Sequence, residues 1–284
     1  MRATDGLNYL IDRAAFSRRL NYLAGSGSQG SALAATPQMP VGSSTDTSLD
    51  GAVARLPFAS LDDMFGEPGR ERIGELIADC ARGWRWATDT LLPQELAAAA
   101  PDLYLLGLAS PMIAAAELYL QQPCLYLGAT LKVERVAPAA GTRLWHLDVE
   151  DVRMLRVLVY LNDVGEGNGP LQVLPPDLSA RVRSALGYRS GFVSDAQLAA
   201  IVPASAWVSC SAKAGDALFF DGTRLFHRAQ PPILGERYSL TFSYATRRPL
   251  QIYRKARLLG RTQKELVGLL APDLRPYIPR ARAF

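Results

Sequence analysis

The chain has 284 residues, 49% of them apolar and 20% charged, a composition that excludes global disorder and leaves enough apolar surface for a large core. Its formal net charge of +4 is spread along the sequence without a basic stripe, which points away from nucleic acid and suits an anionic small molecule equally well. Cys80, Cys124 and Cys210 form no C-x-x-C pair, the charged N-terminus has no apolar signal core, and no run approaches the ~20 apolar residues of a membrane span, so reduced thiols, a cytoplasmic location and no membrane partner are expected.

Taken in chain order, apolar positions at Leu7, Leu10, Ile11, Ala14 and Ala15 predict a helix over residues 6–24. The Gly/Ser-rich stretch from Ser26 to Gly51 has few large apolar residues and reads as a flexible loop, a candidate lid. Residues 68–100 turn helical: RERIGELIADCARGWRW, a break, then PQELAAAA with Pro93 suited to a first helical turn. A short helix is predicted from Pro111 to Gln121. After Pro123 come short strands bounded by turn residues, LYLGATLKVERV, MLRVLVYLNDV, ALFFDG and YSLTFSYAT. The segment QKELVGLLAPDLRPYI then returns to helix. Helices first and strands second argue for an α+β chain with a mainly β core, helices packed outside an antiparallel sheet, rather than βαβ units. On this reading residues 1–284 are one domain: a mainly helical part, 1–124, with the flexible loop 26–51; a β core, 125–246; and a helical tail, 247–284.

Chemistry concentrates in the β core. The chain has only two histidines, and His146 stands in WHLDVED, two positions before Asp148. Alternate residues of a strand share a face roughly 6.6–6.8 Å apart along the chain, so His146 and Asp148 can reach one ion. The other histidine, His227, follows GDALFFDGTRLFH, in which the turn pairs Gly215-Asp216 and Asp221-Gly222 bound a short apolar strand. Two histidines and one carboxylate from separate strands make a catalytic metal triad with open coordination positions. Non-haem iron(II) oxygenases use that triad, and zinc hydrolases also use three protein ligands, so the residues alone do not name the metal.

In ERYSLTFSYAT, Tyr238, Leu240, Phe242 and Tyr244 alternate with Arg237, Ser239, Thr241 and Ser243. A strand of that polarity makes sense if its polar face lines a cavity. The planar fork of Arg237 suits a carboxylate there, such as one end of a dicarboxylate co-substrate whose other end lies on the metal. Trp145 and Tyr160 are candidates either for the pocket wall or for the aromatic core.

The segments LKVERVAPAAGTRLWHLD, VRMLRVLVYLNDVGEGNGPLQVLP and GDALFFDGTRLFHRAQPPILGERYSL together resemble the core of the phytanoyl-CoA dioxygenase-like group of Fe(II)/2-oxoglutarate-dependent oxygenases, over roughly residues 125–244. The resemblance implies a double-stranded β-helix, or jelly roll, flanked by helices. It implies Fe(II) held by His146, Asp148 and His227, and 2-oxoglutarate with its distal carboxylate on Arg237, assisted by Ser239. It also implies a further co-substrate contact at Lys132 and O2 as oxidant. The implied reaction is hydroxylation, desaturation or cyclisation of a small molecule, coupled to conversion of 2-oxoglutarate to succinate and CO2. Asp148 is retained where related halogenases have a small residue, which argues against halogenation. After NGPLQVLP the family often continues with glycine, serine and histidine, whereas this chain has Pro176, Asp177, Leu178 and Ser179, a departure that bears on local substrate contacts.

The rival reading is a non-oxidative cupin-like metalloenzyme or a metal-binding protein, because one barrel hosts unrelated functions. Arg237 and Ser239 speak against it, since a site without 2-oxoglutarate has no obvious use for them. The basic run from Arg247 to Arg261 suggests an anionic or carrier-linked substrate if it is more than a solvated helical face. Residues 177–215 are candidates for shaping the substrate pocket, and natural-product biosynthesis is the expected setting. Oligomeric state has no signal in the sequence.

Overall fold

The computed structural model describes residues 46–49, 53–252 and 258–279. The helix predicted over 6–24 and most of the 26–51 stretch lie outside those residues. Among the described residues the strands are β1 (Asp46–Leu49), β2 (Val53–Leu56), β3 (Thr90–Leu91), β4 (Cys124–Glu134), β5 (Met154–Tyr160), β6 (Leu171–Val173), β7 (Val208–Cys210), β8 (Ala217–Phe220), β9 (His227–Ala229) and β10 (Arg237–Thr246). They form a seven-stranded sheet in the order β1-β2-β8-β5-β10-β4-β3 and a three-stranded sheet in the order β7-β6-β9, antiparallel throughout.

Period-two patterning decides which side chains face which layer. On one face of the larger sheet, Ala129, Leu131, Val157, Val159, Phe219, Leu240 and Phe242 pack against helices α1 (Asp62–Arg82), α2 (Pro93–Ala99), α3 (Pro101–Leu105) and α4 (Ser110–Leu120). Each large apolar side chain fully buried there contributes about 1.5–3 kcal/mol. On the other face, Leu158, Tyr160, Leu218 and Phe220 pack on Leu171, Val173 and Cys210 of the smaller sheet. Two facing antiparallel sheets with helices stacked outside the larger one make the expected jelly roll.

Local chemistry explains the helix boundaries. Pro93 opens α2, where Glu95 accepts a hydrogen bond from the Leu92 N–H at 2.8 Å. The helix expected from residue 68 follows a kink: Asp62–Phe65 form a first turn, and Gly66, at φ 70°, separates it from the main run. The short helix predicted at 111–121 is Ser110–Leu120. In the tail, α7 spans Gly260–Leu269, while residues 253–257 of the basic run lie outside the described residues. No single helix among the described residues is long and apolar enough to cross a membrane.

The structure adds detail in three places. The mainly helical N-terminal part also carries strands. Asp46–Leu49, inside the stretch read as a flexible loop, is a strand on the outer edge of the larger sheet, and Val53–Leu56 pairs with β8 in the register Val53↔Phe220 to Leu56↔Ala217. Four residues are too few for periodicity to register, and the free edge of β8 supplies the partner. Residues 177–215 fold largely into helix α5 (Pro176–Ala185), helix α6 (Asp195–Ala199) and β7. Val182 and Leu198 there pack with Trp145, Leu174, Val193 and Phe226. The departure from the family pattern at Pro176 is a helix start, with Pro176 in the first turn and Ser179 Oγ accepting from the Phe226 N–H at 2.9 Å. Finally, Trp145 and Tyr160 are wholly buried core residues. Trp145 packs edge-on against Trp207, and the Tyr160 hydroxyl donates to the Cys210 carbonyl at 3.0 Å and accepts from the Leu171 N–H at 2.8 Å.

Candidate metal centre

His146 and His227 meet across an antiparallel bridge, each backbone N–H donating to the other's carbonyl at 3.0 Å. The pairing brings the two ring centroids to 4.3 Å. In both residues Nδ1 lies against the carbonyl oxygen two positions earlier, Leu144 at 2.9 Å and Leu225 at 3.0 Å. A carbonyl only accepts, so Nδ1 carries the proton and each Nε2 offers a lone pair, an arrangement that metal-ligating histidines commonly use. Burial, and secondarily the neighbouring His227, pushes the His146 imidazole down to about 4, so it is neutral at pH 7 and free to ligate.

Asp148 completes the cluster. Its N–H donates to the Gly222 carbonyl at 2.7 Å, and Oδ1 lies 4.0 Å from Nε2 of His146 and 3.8 Å from Nε2 of His227. The three ligand atoms fall within 4.8 Å of one another, the only such group of histidine, cysteine and acidic residues among those described. A Cβ on Gly222 would stand 2.0 Å from Asp148 Oδ2, so any larger residue there has to displace the carboxylate. Burial alone pushes the Asp148 carboxyl up, but the Arg156 guanidinium and the two imidazoles outweigh it and hold the group well below the usual carboxylate range. Two imidazoles and one carboxylate fit a divalent metal, and among protein sites this donor set with open positions is typical of non-haem iron(II).

Arg156 has three partners: Nε donates to Asp148 Oδ2 at 2.8 Å, Nη2 to Glu150 Oε1 at 2.9 Å, and Nη1 to Ser243 Oγ. Burial pushes the Glu150 carboxyl up, as does the adjacent Asp148, despite the opposing pull of Arg156.

A cavity of about 280 Å³ opens beside the triad between the two sheets. Its lining is apolar at Leu158, Leu171 and Phe220 and polar at Thr130, Lys132, Glu134, Arg237, Ser239 and Thr241. Register places Arg237 opposite Glu134 and Ser239 opposite Lys132. Arg237 is 3% exposed. Its Nη1 donates to the Gly169 carbonyl, Nη2 lies 3.7 Å from Glu134 Oε1, and Nε has no hydrogen-bond partner. Gly169, in the NGPL motif, sits at φ 74°, and a Cβ there would meet the Gln230 carbonyl at 2.3 Å. Glu134 is also paired with Lys132, and Arg143 Nε donates to its Oε2 at 2.6 Å. Burial pushes the Glu134 carboxyl up, and Lys132, Arg237 and Arg143 together outweigh it and lower it. Three cations around one carboxylate leave an excess of positive charge that suits an incoming anion.

The structure therefore brings together His146, Asp148 and His227, and places Arg237, Ser239 and Lys132 on the same cavity. Sequence reasoning missed Arg156, Glu134 and Glu150. Arg156 had a signal, as the lone charge in the apolar run MLRVLVY. So did Glu134, which shares a strand face with Lys132 two positions away.

A jelly roll holding two histidines and a carboxylate between its sheets, beside an anion-receptive cavity, defines a metal-dependent enzyme class rather than a structural barrel. The chain belongs to the phytanoyl-CoA dioxygenase (PhyH) family, whose pattern matches residues 88–232 and so spans all three triad residues; it is an oxygenase-type enzyme. Similar solved structures include HygX from Streptomyces hygroscopicus with nickel and 2-oxoglutarate bound, 16% identical over 70% of this chain and 84% of that one, at a TM-score of 0.46. EctD from S. alaskensis with bound Fe is 18% identical over 80% and 82%, at 0.47. The non-heme alpha ketoglutarate dependent epimerase SnoN from nogalamycin biosynthesis is 16% identical over 76% and 87%, at 0.44. No curated protein matches the sequence.

Proposed function

We propose that the protein is a non-haem Fe(II)/2-oxoglutarate-dependent dioxygenase that hydroxylates, desaturates or cyclises a small molecule while 2-oxoglutarate becomes succinate and CO2. The observation that carries this reading is the presence, in one cavity, of the His146/Asp148/His227 cluster and of a buried Arg237 with unused donor capacity. Iron(II) held by the triad supplies the redox chemistry that couples O2 reduction to oxidation of the keto acid and substrate.

The protein's part is position and exclusion. His146 and His227 present fixed Nε2 lone pairs, and Asp148 presents one oxygen, so the remaining coordination positions stay open to small ligands. Arg237 receives the distal carboxylate of 2-oxoglutarate through charge-assisted hydrogen bonds, with Ser239 and Lys132 beside it. Leu158, Leu171 and Phe220 make part of the lining apolar, which limits side reactions with water. A non-oxidative metalloenzyme has no use for Arg237 in that place. The three buried, unpaired cysteines support a reducing, cytoplasmic location, and the cavity's size supports a small-molecule substrate, of the kind found in natural-product biosynthesis.

The test is anaerobic titration of Fe(II)-loaded protein with 2-oxoglutarate, followed by the weak visible absorption of keto acid coordination. Absorption that appears in the wild type and is lost in Arg237→Ala supports the reading. Iron binding without any absorption turns the assignment to the non-oxidative metalloprotein.

A further inference from the structure

We infer that Arg156 decides which of two neighbouring acids ligates the metal: it anchors Asp148 through Oδ2 with Oδ1 turned to the two histidines, and it holds Glu150 outside the coordination sphere. The inference rests on the metal-centre reading above and adds to it the reason that positions stay open.

WHLDVED places Asp148 and Glu150 two residues apart, and both are shielded from solvent beside the same site. Either carboxylate is chemically able to bind a divalent ion, through one oxygen or two. Arg156, on β5, resolves the competition. Its planar fork reaches Asp148 Oδ2 through Nε and Glu150 Oε1 through Nη2, at 2.8 and 2.9 Å, while Nη1 is anchored on Ser243 Oγ of β10. The second oxygen of Glu150 accepts from the Val149 N–H at 3.0 Å. Asp148 Oδ1 alone is left facing the two Nε2 atoms.

A rigid guanidinium bonded to both acids fixes their separation, which the single point charge of a lysine cannot do. Without the fork, a bound dication attracts the second acid, which fills a position that the keto acid requires. Arg156 is thus a positioning residue, acting through Asp148 and Glu150 rather than on substrate.

The experiment uses Co(II) as a spectroscopic replacement, with wild type, Arg156→Met, and the double variant Arg156→Met/Glu150→Gln titrated first with Co(II) and then anaerobically with 2-oxoglutarate. Expected is Co(II) binding by Arg156→Met at least as tight as in wild type, with a changed visible d–d band. Its 2-oxoglutarate dissociation constant should rise at least tenfold. The double variant, with the second acid neutralised, should recover most of both the band and the affinity.

A purely structural role predicts no such recovery. An unchanged 2-oxoglutarate response in Arg156→Met, or a double variant no better than the single one, overturns the inference. If Arg156→Met fails to fold with two unpaired buried acids, the double variant decides alone: a wild-type Co(II) spectrum and response support the inference, and their loss overturns it. If wild type binds Co(II) but ignores 2-oxoglutarate, the dioxygenase reading fails, and the inference then stands or falls on whether the double variant reverses the change in the Co(II) band.

Discussion

On β10, Leu240, Phe242 and Tyr244 alternate with Arg237, Ser239, Thr241 and Ser243 along one backbone. Phe242 and Arg237 are both almost fully buried, yet they are buried for opposite reasons. Phe242 meets Phe65 of α1 with ring centroids 5.3 Å apart, and Tyr244 donates to the Gly107 carbonyl at 2.7 Å, so the helix face gains stability from apolar area and a satisfied hydroxyl. The inner face keeps a guanidinium and hydroxyls out of water around a cavity, which costs free energy unless partners compensate. The lesson is that burial alone does not separate scaffold from site. What separates them is whether buried groups have spent their bonding capacity on the protein.

That contrast makes changes on the inner face binding defects and changes on the helix face stability defects. The largest effect is expected at the triad. His146→Ala, Asp148→Ala or His227→Ala should each abolish iron-dependent turnover and weaken metal binding while leaving the thermal transition near that of wild-type apo-protein; full turnover in any one of them breaks the inner side of the contrast. Phe242→Ala should cost about 3–5 kcal/mol of folding stability, read by denaturant unfolding, with 2-oxoglutarate affinity preserved in the molecules still folded. A selective loss of co-substrate affinity there would erase the distinction between the faces.

Arg237→Ala should raise the 2-oxoglutarate requirement by about 10- to 100-fold, the scale of one charged hydrogen-bonding partner, with metal affinity nearly unchanged by calorimetry. Gly222→Ala should weaken metal affinity on the order of tenfold through displacement of Asp148; wild-type affinity would mean the loop yields without moving the carboxylate.

The smallest effect concerns pH. The Glu134 carboxyl is lower in the fold than its ordinary value of 4.5, so its contribution to stability is fully present above that pH and is lost as pH falls through the folded value. The stability difference between wild type and Glu134→Gln, present at pH 7, should therefore shrink in acid. A difference that stays constant down to pH 3 would show that Glu134 acts through shape rather than charge.

Much of the site was legible because it obeys local rules. The alternation in ERYSLTFSYAT put Arg237 and Ser239 on one face without knowledge of any neighbour, and the turn pairs around ALFF marked β8. The residues that escaped notice act through non-local pairing. Glu134 becomes important only when register sets it opposite Arg237, and Arg156 only when β5 runs beside β10 and close to Asp148. Trp145 and Tyr160 show the converse, since aromatic residues in a site motif are as well suited to core as to pocket, and their hydrogen bonds to Asp195 and Cys210 decided for core.

By itself the sequence determined the alternating faces of β10, the helix start at Pro93 and the donor types at His146, Asp148 and His227, because these follow from periodicity and side-chain chemistry within a few residues. The tertiary structure decided the rest: the strands Asp46–Leu49 and Val53–Leu56, the helices within 177–215, and the division of labour between Asp148 and Glu150. Those outcomes depend on which distant segment supplies a free sheet edge, an apolar face or a guanidinium, and no short window of sequence contains that information.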